Sequence, residues 1–232
     1  MAELTRKELL LALISAGERP RLSGLDLTGL DMAELDLRGA NLINTKLGRA
    51  DLSLADLSDA QLMGAVLIET QLNRAKLNKA NLTGADLTGA DLKEASLMVC
   101  VLTGAKLANA QLTFAKLSEA LANEAHLRGA NFNGASLTFA KFVDCDFSNA
   151  NLSGADLSGA DLRHSDLRGA DLSYANLSNA DISQASIESA NFTGANLRGL
   201  FASDVDLNAA KLEGAIMPDG TAYGEEVVTT IR

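Results

Sequence analysis

From Leu22 to Met217 an apolar residue returns at every fifth position, with no insertion or deletion. Of these forty centres, thirty-eight are Leu, Ile, Phe or Met, and only Ala122 and Ala202 depart. A period of five matches neither the 3.6 of an α-helix nor the 2 of a flat strand. It fits a chain that turns a corner after each short extended segment, so internal repetition decides the fold. A second series stands two residues before each centre and is mostly Ala, as at Ala40, Ala50, Ala55 and Ala60. It is broken at Pro20, Leu25, Leu30, Leu35, Thr45, Thr70, Cys100, Cys145, Ser165, Leu200 and Val205. A polar residue, usually Asp or Asn, lies between the two series. The centre and the Ala therefore face one side of the backbone, and the polar residue faces the other. Ser, Thr or Arg, and then often Gly, supply the corner.

Four pentapeptides close one coil of twenty residues, and coils stack at about 4.8 Å, so forty repeats make about ten coils and a rod roughly 45–50 Å long. Hydrogen bonds from coil to coil satisfy the amides that an interior of Leu and Ala cannot. Composition agrees with a repeated cross-section. Hydrophobic residues are 47% of the chain but aromatics only 4%, with no Trp. An irregular core usually mixes large and small shapes. The inward and outward assignment makes Leu87→Asp or Leu157→Asp cost several kcal/mol, on the order of 4. Asp86, read as facing water, would be replaced by Ser for under about 1 kcal/mol.

Units such as Ala80-Asn81-Leu82-Thr83-Gly84 and Ala155-Asp156-Leu157-Ser158-Gly159 resemble the pentapeptide repeat family, and the resemblance covers nearly the whole chain. It implies an all-β solenoid, a right-handed quadrilateral β-helix of about ten 20-residue coils with a short N-terminal capping helix. The family includes gyrase-binding DNA mimics and a cyanobacterial differentiation regulator, so it implies a fold more than one function. The uninterrupted array, closing on Met217-Pro218-Asp219-Gly220-Thr221, is most similar to the cyanobacterial members.

The expected division is a capping helix at 1–19, a repeat rod at 20–217, and a turn and tail at 218–232. Both ends of a solenoid need cover. Thr5-Arg6-Lys7-Glu8 has the spacing of a capping box, with Leu4 and Leu9 placed as a hydrophobic staple. Gly17 offers the stop, which predicts a helix over 6–16 laying Leu9, Leu10, Leu13 and Ile14 on the first coil. The bulky Leu25, Leu30 and Leu35 suit a widened coil under that cap. At the far end Pro218-Asp219-Gly220 signals a turn. The segment from Glu225 to Arg232 either folds back over the last coil or pairs with a second molecule.

Little in the chain suggests chemistry. The formal charge of −10 disfavours direct binding of nucleic acid or anionic lipid, and no apolar run approaches the length of a membrane helix. Leu9–Ile14 is short for a secretory signal, and Glu3 and Glu8 offset Arg6 and Lys7, so a cytoplasmic location is expected. His126, on a side, and His164, at a corner, stand about two coils and roughly 10 Å apart, too far to share a metal. Cys100 and Cys145 replace inward Ala nine repeats apart, beyond disulfide reach; buried thiols fit a reducing compartment. Ser and Thr recur as letters of the repeat, without a base placed beside them. No enzyme activity, cofactor or metal is expected.

Charge and apolarity vary along the rod. Residues 20–60 carry four basic and seven acidic groups, 61–145 eight and seven, and 146–217 four and ten. Asp146 stacks with Asp166, and Asp161 with Asp181, but Lys76 with Lys116, and Lys106 with His126, interrupt the negative surface that a gyrase-binding mimic would need. At mid-rod, folding by twenties places Leu121 above Val101. The adjoining corner stacks Val99, Glu119 and Phe139, with Met98 and Val143 nearby. Exposed apolar groups rimmed by charge mark partner sites, so Met98, Val99, Val101, Leu121, Phe139 and Val143 form the candidate patch. The competing reading turns Leu121 inward to fill the space left by Ala122, unless Phe142 fills it from the next coil. The same large-before-small order at Phe201-Ala202 favours inward turning at both places. The expected function is a non-enzymatic protein-interaction rod, regulatory or scaffolding, for an unknown protein partner. It would be a monomer, or a weak dimer through an end of the rod. The alternative is a DNA mimic binding a topoisomerase such as gyrase.

Overall fold

The computed structural model describes residues 5–16 and 20–224, and is a β-helix-like solenoid over most of that length. Every fifth residue bridges in parallel to the one twenty positions on, from Arg21 with Asn41 to Asn196 with Ile216, with Ser186 the exception. Four turns fall within each twenty residues.

The repeat Asp86-Leu87-Thr88-Gly89-Ala90 shows why these letters recur, because each of its five amides has a partner. Asp86 N–H donates back to Ala65 O (2.9 Å), Leu87 N–H forward to Lys106 O (2.7 Å), and Gly89 N–H to Ala108 O (3.0 Å). Ala90 N–H closes the corner on Leu87 O (3.0 Å). The fifth amide, Thr88 N–H, donates to Asp86 Oδ1 (3.1 Å), which also accepts the Thr88 hydroxyl (2.6 Å). This is an Asx turn. The expectation for Asp86 is corrected here: the carboxylate is half-buried and supplies an acceptor that no carbonyl replaces. Asn81, Asp146, Asn151 and Asn191 repeat both bonds.

Inward positions carry the core. Leu87 and Leu157 are fully buried, as are Ala122 and Phe142 in one column. Phe142 meets Phe147 edge-on with centroids 5.1 Å apart, and Phe147 meets Phe132 at 5.9 Å. The buried hydroxyls donate to carbonyls of the preceding coil: Thr45 to Leu22 O (2.8 Å), Thr70 to Leu47 O (2.7 Å) and Ser165 to Phe142 O (2.6 Å). Cys145 uses its thiol in the same way, on Ala122 O at 3.0 Å.

At the N-terminal end, α1 (Arg6–Ala16) begins with the expected box. Thr5 N–H donates to Glu8 Oε2 (2.8 Å), and Glu8 N–H to Thr5 Oγ1 (3.3 Å). Leu9 is buried in the core, and Arg6 ties the helix to the rod through Asp31 and Ala33 O. Leu10 does not join it; it is exposed, a correction of the expected covered face. Leu4, Gly17 and the side chains of Leu13 and Ile14 lie outside the described residues, as does the segment from Glu225 to Arg232. At the far end the expected turn forms: Gly220 N–H donates to Met217 O (2.8 Å), and Ile216 bridges antiparallel to Ala222. One side departs from the repeat. Leu207–Ala209 form a 3-10 turn capped by Asp206, and Ala202, Val205, Leu207 and Ala210 are only partly buried.

Candidate functional site

Outward side chains stand in columns set by the twenty-residue coil. In one column Val101 bridges to Leu121, and Leu121 to Lys141. Leu121 keeps the outward register, its N–H donating to Cys100 O at 2.9 Å, and is 40% exposed. Phe201 likewise bridges to Asp181 and is 62% exposed. The expected inward turn of both residues is therefore overturned. Turning Leu121 inward would break a ladder bonded on both sides, and the fully buried Phe142 above Ala122 supplies core volume instead.

Of the other expected patch residues, Met98, Val99 and Phe139 are exposed, while Val101 and Val143 are half-buried. Val99 and Phe139 occupy the corner, at φ 58° and 56°. This left-handed conformation is easy for Gly and disfavoured for L residues by about 1–2 kcal/mol. Val99 is the only β-branched residue so held among the described positions, although corner residues from Glu34 to Asp204 share the conformation as part of the repeat. The corner also explains how Phe139 lies: its ring occupies the place where a Cβ on Gly159, in the next coil, would stand 2.5 Å from Phe139 Cε1. Tyr174 over Gly194, and Phe114 over Gly134, repeat the arrangement at a different corner. Sequence reasoning missed those two exposed rings. The signal was present as an aromatic in the corner position with Gly twenty residues later.

Charged groups frame the patch. Lys106 and Lys116 are exposed on the two adjoining faces, and Lys141 stands directly beyond Leu121. Toward the C-terminal end, Asp161 and Asp181 stack, with Arg163 2.7 Å from the first and 3.8 Å from the second. The Arg163 hydrogen bond holds the Asp161 carboxyl below the usual carboxylate range. Arg168 does the same for Asp166 at 2.5 Å. The acidic columns are thus partly paired within the rod.

The remaining candidates do not converge. His126 and His164 are both exposed. No group of three His, Cys, Asp or Glu among the described residues is placed to hold a metal ion. Cys100 and Cys145 are buried and unbonded to each other, and burial pushes each thiol up to about 12. No helix among the described residues is long and apolar enough to cross a membrane.

Parallel coils of twenty, Asx-capped corners and an interior built mostly of Leu and Ala define a tandem-pentapeptide solenoid. The chain belongs to the pentapeptide repeat family. The family's model matches in eight copies, across residues 21–59, 60–97, 80–113, 110–149, 150–188 and 185–219. Among solved structures the chain is similar to HetL from the cyanobacterium Nostoc, described as involved in the regulation of heterocyst differentiation. The two share 34% identity over 95% of this chain and 100% of that one, with a TM-score of 0.87. A pentapeptide repeat protein of the Arabidopsis thaliana thylakoid lumen shares 34% identity over 46% of this chain and 70% of its own, with a TM-score of 0.41. QnrB1, a plasmid-mediated fluoroquinolone resistance protein, shares 23% identity over 85% and 88%, with a TM-score of 0.49. A search of curated protein sequences finds no match.

Proposed function

We propose that this chain is a non-enzymatic protein-interaction rod of the cytoplasm, with a regulatory or scaffolding role, and that its mid-rod patch receives a protein partner. In the finer form of this reading the rod is right-handed and four-sided, has about ten coils, and is capped by α1. The observation that carries it is Leu121, exposed in register above Val101 beside the exposed Met98, Val99 and Phe139. Large apolar side chains gathered in outward positions cost solubility unless something covers them. Similarity to a protein described as involved in differentiation regulation supports a regulatory role. The hydroxyls support a non-enzymatic one: those of Thr83, Thr88, Ser148, Ser153 and Thr193 are spent on their own Asx turns. A DNA mimic aimed at gyrase would present unbroken carboxylate columns. Here Arg163 and Arg168 pair with them, and Lys106, Lys116 and Lys141 interrupt them, which favours the interaction rod.

The test is affinity capture from the native cell with the wild-type chain and a Leu121→Asp/Phe139→Asp variant. A protein retained by the first and lost by the second, with unchanged circular dichroism and melting, supports the reading. Identical captured sets would overturn it.

A further inference from the structure

The column that carries Leu121 has an internal symmetry. It runs Val101, Leu121, Lys141, Asp161, Asp181, Phe201, each bridged to the next. Outward from Asp161 it offers, at equal spacings, Lys141 then Leu121 in one direction and Asp181 then Phe201 in the other. A two-fold axis lying across the face at Asp161 would bring Leu121 onto Phe201 and Lys141 onto Asp181, twice each. We propose that two copies of this chain pair antiparallel along this face about that axis, an isologous contact. The proposal rests on the reading of the face as an interaction surface, and names a second copy as its occupant.

Three further features fit. Both partners have the same coil spacing, about 4.8 Å, so the match at one coil holds from Leu121 to Phe201. Phe139 leans over Gly159, the corner beside Asp161, so the two Phe139 rings arrive at the axis from opposite sides, where Gly159 leaves room. Arg163, 2.7 Å from Asp161 and 3.8 Å from Asp181, lies where it screens the two Asp161 carboxylates that the axis brings together. Glu124 and Asp204 of opposite copies approach at the rim, where solvent screens them. Four coil spacings, from Leu121 to Phe201, make a strip only about 20 Å long. That is below a standard interface, so the pair is weak and reversible.

Analytical ultracentrifugation of the full chain, from about 10 µM to about 1 mM to cover a weak contact, tests this. A concentration-dependent monomer–dimer equilibrium is expected. Lys141→Asp and Asp181→Lys should each weaken it about tenfold or more, and the double variant should restore it, because each reversed charge again faces its opposite. That restoration separates pairing from damage to the fold, which melting checks. Leu121→Asp and Phe201→Asp should each abolish the dimer. A monomer throughout overturns self-pairing; if Leu121→Asp/Phe139→Asp still strips a captured protein, the interaction-surface reading survives on its own. A dimer indifferent to these substitutions places the contact elsewhere, and one that the double variant fails to restore refutes the antiparallel register.

Discussion

The outward Asp of each repeat should contribute more than solubility, and Asp86 is the place to measure it. Its Oδ1 accepts Thr88 N–H at 3.1 Å and the Thr88 hydroxyl at 2.6 Å. The other four amides of the repeat are held by backbone carbonyls. Asp86→Ala removes both bonds and leaves one half-buried amide without an acceptor. A net hydrogen bond is worth about 0.5–1.5 kcal/mol. Partial access of water at the corner keeps each near the low end, so the loss should be about 1–2 kcal/mol. For a chain of this size that is about 2–8 °C in melting temperature. Asp86→Asn keeps Oδ1 and should stay within about 0.5 kcal/mol of wild type, while Asp86→Ser falls between, since a hydroxyl makes the same turn more weakly. Urea unfolding, with the slope checked for constancy, gives the free energies. In a Thr88→Val background the Asp86→Ala loss should shrink, because one of the two bonds is already gone. Equal stabilities for Asp86→Ala and Asp86→Asn would refute the acceptor role and return Asp86 to the status of a water-facing charge.

Other outcomes follow from the same geometry. Ala122→Leu should destabilise by about 1–3 kcal/mol through overpacking beneath the buried Phe142; a gain in urea midpoint would show that a void was waiting there. Cys100 and Cys145, buried with their thiols raised to about 12, should react with a thiol reagent only after denaturation; prompt labelling of the native chain would place them at the surface. Asp36, drawn down to about 2 by the Arg38 hydrogen bond, and Asp161 and Asp166, lowered by Arg163 and Arg168, stabilise the fold above the ordinary carboxylate range. That contribution is lost as pH falls through their lowered values, so an Arg163→Gln/Arg168→Gln variant should differ less from wild type at pH 2 than at pH 6. A difference that does not shrink with acid would remove these pairs from the pH dependence.

The candidate site was legible only in part. Leu121, Val99 and Phe139 stand out because the repeat defines what each outward position should hold, and they violate it. Whether Leu121 stays out was not legible, since the Ala122 gap admitted two fillings that the repeat treats alike. The exposed rings of Phe114 and Tyr174 carry a sequence signal of a different kind, a corner aromatic with a glycine twenty residues on, which has meaning only once the coils are stacked.

By itself the sequence determined the period, the twenty-residue coil, the inward and outward faces, the Thr5–Glu8 box and the closing turn at Met217–Gly220. Each of these depends on residue type within a few positions, or on one spacing repeated many times, and repetition averages out local exceptions. Tertiary structure alone decided the rest. It left Leu10 and Leu121 exposed, made Asp86 the acceptor of the fifth amide, and paired Arg163 with both Asp161 and Asp181. These outcomes turn on differences of about 1–2 kcal/mol between competing side-chain placements, set by which atoms of the neighbouring coil or turn lie within reach, and residue spacing alone does not rank such placements.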